Sequence, residues 1–245
     1  EERERQRRER EDRKSRGLLT SKPKLKAVDE TPEELMKKFR TGGVYIPPFK
    51  LRKVQQQVKD PKSIEFQRLN WDALKKSLNG IVNKANVANI SNIIAELFKE
   101  NLVRGRGLLA RAIMKAQAAS PVFTHIYAAL LAVINTRMPE IGELVLKRLI
   151  IGFRKAYGRS DKIQCTAFCK FIAHLVNQQV AHEVLAGQVL GLLLEKPTDD
   201  SVELACTFVK ECGQVMDNVA PKILHAVFER FRSILHEGEI DKRTQ

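Results

Sequence analysis

The chain has 245 residues, 43% of them hydrophobic and only 6% aromatic, which is enough for one domain with an aliphatic core plus a terminal segment. Its formal net charge is +14, and residues 1–115 carry 28 Lys and Arg against 15 Asp and Glu, so this end would attract RNA or an acidic protein. No apolar run reaches the roughly 18 residues that span a bilayer, no apolar leader is present, and the four cysteines show no disulfide spacing; we expect a soluble intracellular protein.

The N-terminal 40 residues predict a disordered, basic, mixed-charge tail. Residues 1–26 consist largely of Arg and Glu with almost no apolar side chains, so they cannot bury a core. Residues 27–40 contain a short helix start in which Thr31 is a candidate N-cap. We expect no stable fold before residue 41.

An extended lead-in segment follows at residues 41–61. The run TGGVYIPPF begins with two glycines that stop a helix and contains two prolines that impose an extended backbone. Its large apolar side chains, among them Tyr45, Ile46 and Phe49, are too numerous for a free linker. They are expected to lie in a groove, either on this domain or on a partner; the sequence leaves both open.

From residue 62 to residue 238 the chain predicts consecutive amphipathic helices with no strand alternation. Apolar residues recur at helical spacing, and Pro and Gly mark the breaks. Pairing consecutive helices gives antiparallel hairpins of HEAT-repeat length, which predicts an all-α helical solenoid, with residues 239–245 as a tail. The predicted helices are 64–86, 89–101, 104–118, 121–136, 139–157, 160–177, 181–195, 199–213 and 218–237.

Individual residues within these helices carry further expectations. The first helix has an apolar face that includes Leu78 and Ile81, and the lone tryptophan, Trp71, is interpreted as a core anchor. Ile163 is assigned to the apolar face of the sixth helix. Three later helices are expected to open with hydroxyl caps, at Ser120, Ser160 and Thr198.

No enzymatic signature is found in the chain. The phosphate-binding loop, the nucleophile elbow and the HExxH zinc motif are all missing, so we expect no catalytic residues, no cofactor and no metal. Cys165 and Cys169 are four residues apart, but one pair on a helix does not complete a zinc site, and core packing is the better interpretation. The run RGRG at 104–107 resembles an RNA-binding fragment, although a corner between helices is favoured.

The end of the first helix is the candidate binding site. Gly80 lies inside the helix, where glycine costs roughly 1 kcal/mol relative to alanine, a cost that is usually tolerated for a close backbone approach. Asn83 and Lys84 follow one turn later, and Asn86 and Asn89 lie at the expected corner. Either the segment is simply a capped helix end, or it docks another chain.

Three runs carry a family resemblance: TGGVYIPPFKLR, FQRLNWDALKKSLNGIVNKANVANI and ELFKENLVRGRGLLARAIMKAQAASPVFTHIYAALLAVINT. Over residues 41–238 the chain resembles the middle domain of the translation initiation factor four-G family, and more closely the form of that domain found in a spliceosomal protein. A nucleolar relative of ribosome biogenesis shares a similar YIPP lead-in.

The resemblance implies a right-handed crescent of about five antiparallel HEAT-type hairpins that binds a DEAD-box RNA helicase of the initiation factor four-A type. The spliceosomal form implies a nuclear, monomeric splicing domain. It would hold the exon junction helicase, four-A-three, open and inactive, and deliver it to the spliceosome. The implied contact residues are Gly80, Asn83 and Lys84. The alternative is an RNA-binding or helicase-activating scaffold in ribosome biogenesis or translation initiation, in the nucleolus or cytoplasm.

Overall fold

The computed structural model describes residues 64–237 and Asp241. The predicted tail at 1–40, the lead-in at 41–61 with Tyr45, Ile46 and Phe49, and the rest of the C-terminal tail lie outside the described residues. The chain divides into two compact units, residues 1–69 and 70–245. The described part of the first unit is the beginning of one helix.

Nine α-helices and one short 3-10 helix make up the described residues, and no strand occurs among them. None of the nine alone is long and apolar enough to cross a membrane; 102–119 and 121–137 pass that test only as a pair, across a bend of 117°. The helices are α1 Ile64–Asn83, α2 Ile90–Leu97, α3 Leu102–Ala119, the 3-10 helix Pro121–Phe123, α4 Thr124–Arg137, α5 Pro139–Tyr157, α6 Lys162–Asn177, α7 Glu183–Glu195, α8 Asp199–Val219 and α9 Pro221–Glu237.

The break between the last two helices differs from its prediction. Residues 214–217 were expected to be a linker, but α8 continues to Val219 and the break is the single residue Ala220. Its φ of −141° and ψ of 59° lie outside the helical region because the ring of Pro221 disfavours the helical conformation in the residue before it. Pro221 itself can begin α9, where an N–H has no intrahelical partner.

Of the three predicted helix caps, one is confirmed and two are wrong. Thr198 is confirmed: its Oγ1 accepts from Ser201 N at 3.2 Å, and Ser201 Oγ accepts from Thr198 N at 2.9 Å, which makes a capping box. Ser120 makes no side-chain cap bond. Ser160 is also wrong, because Asp161 is the N-cap of α6, accepting from Gln164 N at 3.1 Å.

The helices stack in two layers within the unit 70–245. In one layer, α2 packs on α4, α4 on α6 and α6 on α8; in the other, α3 packs on α5 and α7 on α9. Sequential neighbours such as α5 and α6, or α7 and α8, join the layers. From α2 onward, most helices pack on a sequential neighbour and on the next helix but one. This is the contact pattern of a solenoid, and it confirms the predicted all-α HEAT-like fold.

The predicted apolar face of α1 is confirmed, with Leu78, Ile81 and Val82 buried. The interpretation of Trp71 as a core anchor is wrong, since the residue is 39% exposed and the guanidinium of Arg104 lies 6.0 Å from its ring centroid. Ile163, expected on a buried face, is 80% exposed. Helical spacing assigns a side chain to a face, but it does not report whether another helix covers that point.

The RGRG run lies inside α3 rather than at a corner, so that interpretation is corrected. A Cβ at Gly105 would come within 3.1 Å of Leu74 Cδ2 and of Leu78 Cδ1, so the glycine allows α1 to approach α3 closely. The arginine on its far side, Arg106, pairs with Glu140 of α5 at 2.8 Å. The run therefore joins three helices.

Candidate partner-binding site

Gly80, Asn83 and Lys84 share the solvent side of the end of α1. Gly80 and Asn83 are three residues apart and so lie on one helix face, and Lys84 follows in the turn that ends the helix. Asn83 and Lys84 are exposed, and Gly80 is half-buried. The three residues implied by the family resemblance are thus brought together and remain accessible.

Gly80 has open space where a side chain would project. A Cβ built on it meets no atom within 4 Å, unlike Gly105, whose Cβ would press on α1. Packing within the described part of the chain therefore does not require glycine at position 80. The expected close approach of a backbone, if it occurs, must come from something other than these helices.

Asparagines shape the corner between α1 and α2. Asn86 N donates to Asn89 Oδ1 and Asn89 N donates to Asn86 Oδ1, each at 2.8 Å, so the two residues close a reciprocal pair. Asn89 Nδ2 also donates to the carbonyl of Lys84 at 2.8 Å, which satisfies an acceptor left open where the helix ends. These bonds confirm the predicted corner and hold Lys84 in a defined backbone position.

Buried contacts hold the same helix end on the domain. Ile81 and Val82 are 2% and 0% exposed, so the residues directly before Asn83 are part of the core. Ser77 Oγ donates to Glu100 Oε1 at 2.5 Å, linking α1 to the segment after α2. The exposed side chains are therefore presented by a rigid support, which lowers the entropy lost on binding.

Val87 was missed by the sequence reasoning. It lies in the corner between the two paired asparagines and is 70% exposed. The sequence did contain a signal for it: an apolar residue stands among asparagines at a helix corner, where no helical face accounts for it. Together Gly80, Asn83, Lys84 and Val87 form what we call the corner surface, which offers an open backbone, an amide, a cation and an apolar contact.

The candidate metal ligands Cys165 and Cys169 form no metal site among the described residues. No group of three or more His, Cys, Asp or Glu side chains among them is placed to hold a metal ion. Cys165 and Cys169 are buried, as predicted, and burial raises the pKa of the Cys169 thiol to about 12. A thiol with that pKa stays protonated at neutral pH, so it serves packing rather than nucleophilic attack.

One histidine, His174 of α6, is perturbed by its surroundings. Burial lowers its pKa, while Glu211 on α8, 3.3 Å from Nε2, acts in the opposite direction. His125 and Lys170 add to the lowering. This cluster lies on α4, α6 and α8, away from the corner surface, and it contains no nucleophile.

Comparison with known proteins identifies the family. The MIF4G domain family matches residues 75–245. The chain is 59% identical over 226 residues to the "Pre-mRNA-splicing factor CWC22 homolog" of Danio rerio, covering 92% of this chain and 23% of the relative. It is 61% identical to the Homo sapiens protein of that name over 206 residues, which is 84% of this chain and 23% of the relative.

A fungal relative, "Pre-mRNA-splicing factor cwc22" of Aspergillus fumigatus, is 56% identical over 231 residues, which is 94% of this chain and 26% of that protein. The chain thus spans about a quarter of the length of the curated relatives it matches. The family match covers all helices from the middle of α1 onward, and the resemblance drawn from the motifs is confirmed. The chain belongs to the MIF4G domain family.

Proposed function

We propose that this domain is a non-enzymatic protein-binding scaffold of a nuclear pre-mRNA splicing factor. Its similarity to splicing factors of the CWC22 type, from fish to fungus, supports the splicing role. The two-layer helical stack supports a scaffold, because such solenoids present extended surfaces to other macromolecules. The partner we propose is a DEAD-box RNA helicase of the initiation factor four-A type, namely four-A-three.

The corner surface is the proposed docking site for this helicase. The observation that carries the proposal is the open space above Gly80, a glycine in the last turn of α1 that packing within the described residues does not need. Glycine in place of alanine there destabilises α1 by up to about 1 kcal/mol, a cost that a partner's close approach would explain. Asn83 and Lys84 flank that space as hydrogen-bonding and charged groups.

The proposed action is to hold the helicase open and inactive and to deliver it to the spliceosome for exon junction complex assembly. Such an enzyme hydrolyses ATP when its two lobes close around nucleotide and RNA. A scaffold that binds the open form more tightly than the closed form shifts the population away from closure. Moving that equilibrium from 1:99 to 99:1 requires about 5.5 kcal/mol of differential affinity.

Charge substitution at the corner surface tests the docking site. The double variant Asn83→Asp/Lys84→Glu should weaken binding of the purified helicase, measured by calorimetry, by about 2–5 kcal/mol if the contact excludes water, and by less at a rim. Raising the salt should rescue Lys84→Glu more than Asn83→Asp, because only the former reverses a charge at the contact.

A matched control makes the result specific. Asn218→Asp/Lys196→Glu changes the net charge equally at exposed positions, one on α8 and one directly after α7. It should bind the helicase like the wild-type domain. If both double variants bind equally well, or lose affinity equally, the corner surface is not the docking site.

A further inference from the structure

Two stretches of the chain contain no Asp, Glu, Lys or Arg. They are residues 85–95, which run from the corner after α1 into α2, and residues 116–136, which include the end of α3, the 3-10 helix and all of α4 but its last residue. In the whole chain, 29% of the residues are charged. Burial explains the missing charges inside the helices, but it does not explain them at the exposed positions of these stretches.

The beginnings of α2 and α4 lie on the same edge of the unit 70–245. The guanidinium of Arg137, the last residue of α4, lies 4.7 Å from the ring centroid of Phe98, which caps the end of α2. Because short connections make consecutive helices antiparallel, α2 and α4 run in the same direction, and they pack on each other. Their beginnings therefore share one edge, which carries the corner surface before α2 and the 3-10 helix before α4.

The two corners are close enough for one partner to cover both. α4 has 14 residues and α2 has 8, so α4 extends about 9 Å further along its axis. Packed helices lie about 8–10 Å apart, which places the beginning of α4 about 13 Å from that of α2. A standard protein–protein interface covers about 800 Å² on each partner, which is a disc roughly 16 Å in radius.

The exposed side chains of the two corners are apolar or small. Val87 is 70% exposed, Val122 80% and Phe123 50%. Ala88 and Ser91 are exposed as well, and we call these five residues the neutral strip. A surface that lacks charged side chains and includes an exposed aromatic ring has the composition of the core of a protein–protein interface. The strip contains no cation to pair with the phosphates of a nucleic acid.

Buried hydrogen bonds fix the backbone that carries Phe123. Thr124 Oγ1 donates to the carbonyl of Pro121 at 2.6 Å and accepts from Gln117 Nε2 at 3.1 Å. The same Gln117 nitrogen donates to the carbonyl of Ala167 at 3.0 Å, which ties the beginning of α4 to α6. A side chain on a fixed backbone loses less entropy when a partner covers it.

We propose that the neutral strip is the core of the helicase interface, with Phe123 as its anchor and Lys84 at its rim. This inference rests on the proposed docking of the helicase at the corner surface, with which the strip is continuous through Val87. The matching surface of the helicase must be uncharged and must offer an apolar pocket for the phenyl ring. An aromatic residue in such a pocket carries more of the binding energy than a charge at the rim.

Removal of the ring tests the anchor. Phe123→Ala should raise the Kd for the purified helicase about 4-fold to 12-fold, because the half of the side chain that is still exposed would be buried on binding. The control is Phe228→Ala, which removes a ring 46% exposed on α9 and should leave the Kd unchanged. Since both rings are about half-exposed, the two variants should melt at similar temperatures.

Insertion of a charge tests the neutrality of the strip. Val122→Glu should raise the Kd about 30-fold or more, because the helicase would cover a carboxylate that has no partner. Val103→Glu is the control, since it places the same charge on a side chain that is 71% exposed at the other end of α3. This control should bind the helicase like the wild-type chain.

Binding kinetics separate the core of the interface from its rim. Phe123→Ala should raise the dissociation rate by the same factor at about 0.1 M and about 0.5 M salt, because an apolar contact is not screened. Lys84→Glu should act mainly on the association rate, and its effect should shrink as the salt concentration rises. Surface plasmon resonance with immobilised helicase measures both rates.

Four results would overturn the proposal. If Phe123→Ala binds as tightly as Phe228→Ala while Asn83→Asp/Lys84→Glu weakens binding, the strip is not the interface core, but the proposed docking at the corner surface stands. If neither the strip variants nor the corner variants weaken binding, the proposed docking site fails as well. A much lower Tm for Phe123→Ala than for Phe228→Ala would assign the ring to packing within the chain. A wild-type dimer that Phe123→Ala dissociates in sedimentation equilibrium would assign the strip to a second copy of this chain.

Discussion

Substitution of Gly80 tests whether glycine is required at this position for folding or for partner binding. Because a Cβ at this position meets nothing within 4 Å, Gly80→Ala should stabilise the domain by up to about 1 kcal/mol through helix propensity alone. For a chain of this size that corresponds to a rise in Tm of about 2–4 °C. A glycine required for internal packing would give the opposite sign.

Gly80→Tyr should also fold, because its ring projects from the same open position. At the docking site, however, the ring would occupy the space into which a partner's backbone is proposed to come. Overpacking of a fitted contact costs about 1–3 kcal/mol, which is a 5-fold to 150-fold rise in the Kd for the helicase. Calorimetric titration measures this rise, and thermal melting checks the fold.

Gly191 supplies the matched control. It also lies inside a helix, α7, with nothing within 4 Å of a built Cβ. Gly191→Ala and Gly191→Tyr should reproduce the effects on melting without changing helicase affinity. The reasoning is refuted if Gly80→Ala lowers Tm, or if a folded Gly80→Tyr binds the helicase as tightly as Gly191→Tyr does.

Two further predictions concern stability. In Gly152→Ala the new Cβ would lie 2.7 Å from Phe168 Cζ. The resulting overpacking costs about 1–3 kcal/mol, which should exceed the gain in helix propensity and lower the Tm in thermal melts. An unchanged or higher Tm would contradict the packing of α5 on α6. Because burial lowers the pKa of His174, the unfolded chain binds more protons below about pH 6.5, and stability should fall as pH drops through that value. His174→Gln should reduce the loss of Tm between pH 7.5 and 5.5, and an identical pH dependence would exclude His174 as its source.

Helix positions were predictable because the helical spacing of apolar residues and the Pro and Gly residues between helices agree along most of the chain. Where a predicted helix boundary or N-cap was wrong, a neighbouring residue determined the outcome. The predicted break at residues 214–217 was wrong, because α8 continues to Val219 and the proline at 221 decides where it ends. Serine at 160 suggested a cap, but it adopts a φ of 56° and Asp161 takes the role.

Whether a side chain is exposed was harder to predict than which face of its helix it lies on. Trp71 and Ile163 lie at positions that a helical wheel assigns to apolar faces, but whether a face is covered depends on where the neighbouring helix passes. Contacts between helices distant in sequence, such as those of α3 with α5, carry that information. Sequence periodicity alone does not contain it.

The candidate site was predicted in part. The composition of NGIVNKAN suggested both a capped helix end and a docking segment, and the reciprocal bonds of Asn86 and Asn89 account for the first. Those two asparagines shape the corner, which leaves Gly80 and the exposed side chains of Asn83 and Lys84 without a role in packing among the described residues. Val87 joined them only once its exposure was known.

The central claim is that the domain holds its helicase open, and the rate of ATP turnover tests it most directly. RNA-stimulated ATPase activity of the purified four-A-type helicase is measured with and without the domain at equal molar concentration. The account predicts that the domain lowers the rate, and that Asn83→Asp/Lys84→Glu restores it. A rate that rises when the domain is added would contradict the account and indicate a scaffold that guides the lobes together.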